Sequence, residues 1–173
     1  KIDEAAHNRD AEIVVAKNGD VNGSYTQNGG AGSPNAYLVG TTIHILYTAL
    51  INSAYMMMHC TYDITTGTLS NYSPVLVDGA ILNNAWFNSR YNYAFSAGAY
   101  QYSQANSSIA TDGNGNYYIG WCFGYGAYAV GVIFSTTDFV NWTVFYDYSN
   151  WDVAPIYEMP VAYYNGYVYF CIR

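Results

Sequence analysis

One phrase recurs along this chain: an apolar stretch, a glycine-bearing turn, and a second apolar stretch. The copies read EIVVAKNGDVNGSY from Glu12, NAYLVGTTIHILYT from Asn35, SSIATDGNGNYYIGW from Ser107 and MPVAYYNGYVYFCI from Met159. In three of the four the turn is, or contains, Asn-Gly. That pair accepts positive φ and reverses a twisted antiparallel ribbon in two residues. A repeated unit of this kind cannot bury its apolar face alone, so it stacks on its neighbours. The phrase therefore restricts the chain to antiparallel β-structure assembled from stacked hairpins.

The expected turn glycines are Gly19, Gly40, Gly115 and Gly166, at intervals of about 20, 75 and 50 residues. Four-stranded propeller blades occupy about 40–50 residues each. Further strands are expected after the second and third copies, at Ala54–Tyr62 with DITTGTLSNYSPVLV, and at Ala129–Ser135 with TTDFVNWTVFYD. Nowhere does a helical period persist for three turns. The expected fold is all-β, a partial or truncated β-propeller with about three to four blades' worth of strands, forming one domain over residues 1–173. A two-sheet sandwich is the alternative. The long second interval is expected to hold an insertion near 83–106, and the run AWFNSRYNYAFSAGAYQYSQANS from Ala85 is read as an aromatic loop crossing one face. Loops of that length in compact domains are usually functional or mobile. Complete propellers use about four to eight blades, so missing strands are expected from the rest of a longer chain or from another subunit. The start at Lys1 and the end at Arg173, inside a strand-like run, are read the same way.

Composition narrows the partners. Charged residues are 10% of the chain, and 21 tyrosines with many Asn, Ser, Thr and Gly take their place. Tyrosine packs by its ring and stays hydrogen-bonded by its hydroxyl, which suits both a half-buried sheet and the apolar side of a sugar ring. Five Lys and Arg against twelve Asp and Glu leave a net charge of −7, with no basic footprint for nucleic acid or an anionic membrane. No apolar run reaches the roughly 20 residues of a bilayer span. Cys60, Cys122 and Cys171 sit in apolar strands without a CxxC pair, and are expected to be small core residues rather than metal ligands. His7, His44 and His59 lack metal-ligand spacing, and His44 is expected to be a satisfied core imidazole. No metal or cofactor is expected. Low Lys with high Tyr, Asn and Gly points to a secreted or surface-exposed protein, extracellular or on a virion.

Three segments carry a family resemblance. STTDFVNW, Ser135–Trp142, resembles a blade-closing phrase of glycosidase propellers and, more loosely, the sialidase Asp-box. The resemblance implies scaffold roles: Asp138 caps a turn through backbone N–H groups, and Trp142 packs an outer strand against the next sheet. Glu158-Met159-Pro160 followed by VAYYNGYVYF looks like an innermost strand of arabinanase and β-xylosidase-type five-bladed glycosidases, and Asp10-Ala11-Glu12-Ile13 is similar to their first strand. By that resemblance Glu158 is the general acid and Asp10 the general base, and the substrate is a glycan at the central face. Inverting hydrolysis places two such carboxyls about 6.5–9.5 Å apart. Where that family has a third, pKa-tuning Asp, this chain has the amide Asn106 nearby.

Sialidases are the second resemblance, through Arg9-x-Ala-x-Ile-Val-Val and the spacing of Glu158 to Arg173. It implies that Arg9 and Arg173 read a sialate carboxylate, as guanidinium forks do, with Arg9, Arg90 and Arg173 together as a candidate triad for it. Independently of either family, Trp86, Phe87, Arg90, Tyr91, Tyr93 and Tyr100 fall outside the hairpin phrase, where strand packing does not call for them. They are the expected glycan contacts, with Arg173. Met56–Met58 are expected in packing between blades. The reading is a carbohydrate-active propeller that binds or hydrolyses a glycan. The alternatives are a non-catalytic adhesin or phage receptor-binding propeller, a sialidase-like fragment, and a purely structural segment.

Overall fold

The computed structural model describes Gly19 and residues 21–91, 108–125, 128–150 and 159–171. The chain order is β1 (Val21–Asn22), β2 (Tyr25–Val39), β3 (Thr42–Ile51), β4 (Ala54–Asp63), β5 (Thr68–Leu69), β6 (Ser73–Pro74), β7 (Leu76–Val77), β8 (Ala80–Ile81) and α1 (Asn84–Tyr91). There follow β9 (Ile109–Thr111), β10 (Tyr117–Tyr125), β11 (Tyr128–Thr136), β12 (Asn141–Asn150), β13 (Val161–Tyr164) and β14 (Tyr167–Phe170). Among the described residues the fold is all-β apart from one short helix.

Two antiparallel meanders dominate. The first sheet runs β1-β2-β3-β4-β5, with β6 also on β4; the second runs β8-β7-β12-β11-β10-β9; β13 and β14 form a separate hairpin. The expected turn glycines Gly19, Gly40, Gly115 and Gly166 all have positive φ. At Asn165-Gly166 both residues do, at 49° and 86°, the geometry that matches strand twist in a two-residue hairpin. The first copy of the phrase departs from expectation: Val21–Asn22 is a two-residue strand, and the chain reverses again at Gly23 into β2.

Alternation along the strands explains the stacking. In β10, Ile119 and Trp121 face one cluster, which also contains Leu46 and Met57 of the first sheet, Val130, Val132 and Phe134 of β11, and Phe87 of α1. Cys122 faces the opposite way, with Ile133, Met159 and Val161. The second sheet is thus covered by the first sheet on one side and, over β9–β11, by the β13–β14 hairpin on the other. Gly120 points toward the hairpin, where a Cβ would run into the Met159 carbonyl and lie 3.0 Å from Val161 Cγ1. Only a residue without a side chain admits β13 that closely. Ser108 Oγ fastens the same approach, donating to Val161 O and accepting from Val161 N, both at 2.7 Å.

Residues 73–83 clasp the two sheets together. Val75 N donates to Met57 O and Met57 N to Leu82 O on the first sheet, while Leu76 N donates to Val140 O and Asp78 N to Trp142 O on the second. The methionine run divides by the period of two: Met57 lies between the sheets, and Met56 and Met58 lie on the opposite face of β4. Cys60 and Cys122 are buried as expected, but Cys171 is exposed, because it follows β14 at the rim of the hairpin. Among the described residues the sheets form an open stack in which none closes on itself.

Candidate functional site

The stretch beginning at Asn83 is not a loop throughout: Asn84–Tyr91 is a two-turn helix. Asn83 caps it, its Oδ1 accepting from Trp86 N at 3.1 Å. Asn is among the preferred residues there because its side chain replaces a missing helical acceptor. A helix this short is marginal in isolation, and burial fixes it. Phe87 is 2% exposed in the inter-sheet core, and Trp86 and Tyr91 pack against the same cluster. Phe87 was expected to touch ligand; it is a core residue instead, since the helix turns it inward while Ser89 and Arg90 face out.

Residues four apart on a helix share a face, and two such pairs here are in ring contact. Phe87 and Tyr91 stack with centroids 5.8 Å apart, and the Arg90 guanidinium lies 5.5 Å from the centroid of the Trp86 ring. Arg90 is in turn held by Asp147 of β12. Its Nη2 donates to Asp147 Oδ2 at 2.5 Å and its Nε to the same oxygen at 3.2 Å, while Tyr91 Oη donates to Asp147 Oδ1 at 2.5 Å. Both carboxylate oxygens are therefore engaged. Burial first, and then the adjoining carboxylate, push the Tyr91 hydroxyl above its ordinary range, so it acts as a neutral donor. The Asp147 hydrogen bond raises the Arg90 guanidinium further and keeps it charged. The ion pair is about one-third exposed, 36% and 32% for the two side chains. Its contribution is accordingly to geometry more than to stability.

Asp147 reaches this face through a bulge. The β11–β12 register slips between Ile133 and Phe134, so Val144 pairs with Phe134 but Tyr146 pairs with Ile133. Phe145 is the additional residue, and past it the alternation of β12 is reversed. Asp147, opposite Val132, consequently shares the inward face of Val132.

Beside the helix lies an open concavity of about 580 Å³, lined among others by Ile81, Asn83, Trp86, Ser89 and Arg90. The volume falls within the usual range of small-ligand sites, about 300–1,000 Å³. Its lining offers an aromatic ring, an amide, a hydroxyl and a guanidinium around an apolar floor. Of the expected contacts, Trp86 and Arg90 line it, Tyr91 supports it from behind, and Phe87 is buried. Asp10, Tyr93, Tyr100, Asn106, Glu158 and Arg173, with Arg9 and His7, lie outside the described residues. Sequence reading missed Asn83, Ser89 and Asp147. The Asn83 cap and the four-residue spacings Trp86–Arg90 and Phe87–Tyr91 were the available signals for the first two.

A second polar cluster sits between the sheets. His44 Nδ1 and His59 Nε2 are 3.1 Å apart, and His44 stacks on Phe139 with centroids separated by 4.1 Å. Phe139 is 1% exposed and has a φ of 64°, a strained value for an aromatic residue. The turn around it is held by Asp138, whose Oδ1 accepts from Val140 N and Asn141 N at 2.9 and 2.7 Å. Trp142 Nε1 donates to Phe139 O at 3.0 Å, and Trp142 itself is 1% exposed in the inter-sheet core. Asp138 and Trp142 are thus scaffold, as expected. Burial lowers both imidazoles, His59 to about 4, aided by His44 and opposed by Asp138. No group of three or more potential metal ligands occurs among the described residues, and no described helix is long and apolar enough to cross a membrane.

Fold and site together define an all-β protein of stacked antiparallel sheets with an aromatic, hydroxyl- and amide-lined groove at a helical insertion. The chain matches no family model, no curated protein and no solved structure.

Proposed function

We propose that this chain is a glycan-binding protein, its stacked sheets forming successive blades of a propeller and its groove beside α1 receiving the sugar. The observation that carries the reading is the groove lining: Trp86 next to Asn83, Ser89 and Arg90 in an open concavity. A sugar ring presents apolar C–H groups on one side and hydroxyls at its edge. The indole answers the first, and the amide, hydroxyl and guanidinium answer the second. Trp86 is already oriented by Phe87, Phe134 and Arg90, so little side-chain freedom is lost on binding.

Two features favour blades over a simple sandwich. Strands β2, β9 and β13, one from each of the three sheets, lie against one another in order, as spokes meeting at a hub would. Both large sheets also carry an Asp-capped turn, before β5 in the first and β12 in the second, Asp63 accepting from Thr65 N and Thr66 N where Asp138 accepts from Val140 N and Asn141 N. The described groove lining contains no carboxylate, and binding rather than hydrolysis is the activity these residues support. Such a module belongs on a secreted or surface-exposed protein. The test is binding to a panel of immobilised oligosaccharides: Trp86→Ala abolishes capture while the far-ultraviolet circular dichroism is retained, and Tyr167→Ala, on the exposed hairpin face, does not. Equal capture by the parent and Trp86→Ala would refute the assignment of the groove.

A further inference from the structure

We infer that the groove selects uncharged glycans and turns away acidic ones such as uronates and sialates; the inference rests on the glycan-binding reading of the same site. Among the described lining residues Arg90 is the sole ionisable group. A guanidinium that reads a carboxylate does so with a fork of parallel N–H donors left open to the ligand. In Arg90 the side edge of that fork, Nε with Nη2, is taken by Asp147 Oδ2. The other Asp147 oxygen is taken by Tyr91 Oη, so the carboxylate is fixed from two sides and is not displaced by a simple rotation.

The local charge of the pair is zero. An incoming carboxylate would find its counter-charge already neutralised and would come to rest beside a second anion. The surrounding chain carries a net charge of −7, which adds long-range repulsion over about 10 Å at ordinary ionic strength. The remaining guanidinium N–H groups can still donate to sugar hydroxyls, which carry no charge to be repelled. Arg90 therefore acts as a positioning residue for Trp86 and as a hydroxyl donor. In an arginine triad for a sialate the same residue would be an open carboxylate receptor, which this geometry does not favour.

The experiment compares neutral oligosaccharides with their uronate- and sialate-bearing counterparts for the parent, Asp147→Asn and Trp86→Ala chains, at low and high salt. The parent is expected to hold neutral glycans, with little salt dependence, at least about tenfold more tightly than acidic ones. Asp147→Asn keeps an acceptor for Arg90 but removes the charge, and is expected to move the acidic-to-neutral ratio toward acidic glycans by about tenfold. Equal or stronger binding of acidic glycans by the parent overturns the inference while leaving the glycan reading standing. An unmoved ratio in a folded Asp147→Asn chain also overturns it. If that variant does not fold, the parent's own ratio decides. Binding of no glycan in either set overturns the underlying reading.

Discussion

Acidification should loosen the contact between the two large sheets at one place, the His44–His59 pair. His59 is 6% exposed, and burial with the neighbouring His44 lowers its pKa from 6.5 to about 4, against a smaller upward pull from Asp138. In the unfolded chain the same ring titrates at the ordinary value. The folded chain thus binds fewer protons between pH 6.5 and about 4, and stability falls as pH drops through that window. It is complete above the window and levels off below it. The interval from 6.5 to about 4, at roughly 1.4 kcal/mol for each pH unit, is worth on the order of 3 kcal/mol. That is on the order of a hundredfold in the folding equilibrium.

Three described carboxylates act outside this window. Asp63, Asp112 and Asp138 lie below their ordinary 3.8, so the stability they contribute is lost only as pH falls further. His44, also lowered by burial, acts in the same direction as His59. The assay is urea unfolding at stepped pH from 7.5 to 4.5, followed by emission of the buried Trp121 and Trp142. His59→Gln retains a hydrogen-bonding side chain and cannot titrate, so it should lose much less stability across the range than the parent. A parent curve that is flat from pH 6.5 to 4.5, or a variant curve that falls in parallel with it, would refute the reasoning.

Two further perturbations test the scaffold. Gly120→Ala drives a methyl group into the Met159 carbonyl and against Val161; it should cost about 1–3 kcal/mol and raise hydrogen exchange in β13 and β14 before the two large sheets respond. Asp138→Ala removes the acceptor for Val140 N and Asn141 N; it should lower stability by about 1–3 kcal/mol, read from the urea midpoint, with Asp138→Asn recovering part of the loss.

Much of the β-architecture is legible in the residues. The glycine turns at positions 40, 115 and 166 are hairpin turns with positive φ, because Asn-Gly and related pairs meet a local steric requirement that needs no tertiary help. The strands after them follow from alternation, and the scaffold roles of Asp138 and Trp142 follow from a local turn. The helix at Asn84–Tyr91 was harder to read, since two turns are too few for a helical period to stand out among aromatic residues. Its stability comes from Phe87 entering a core built by residues far along the chain.

The sequence alone therefore determined the hairpins, the all-β class and the shortage of charge. Tertiary structure decided which side chains meet. Asp147 shows why: strand side chains alternate with a period of two, and a single additional residue at Phe145 reverses every assignment beyond it. Without that bulge Asp147 would face β13–β14 and Arg90 would stand open. Whether a strand accommodates a bulge depends on its partner's register, a contact between chains of residues that no local pattern records.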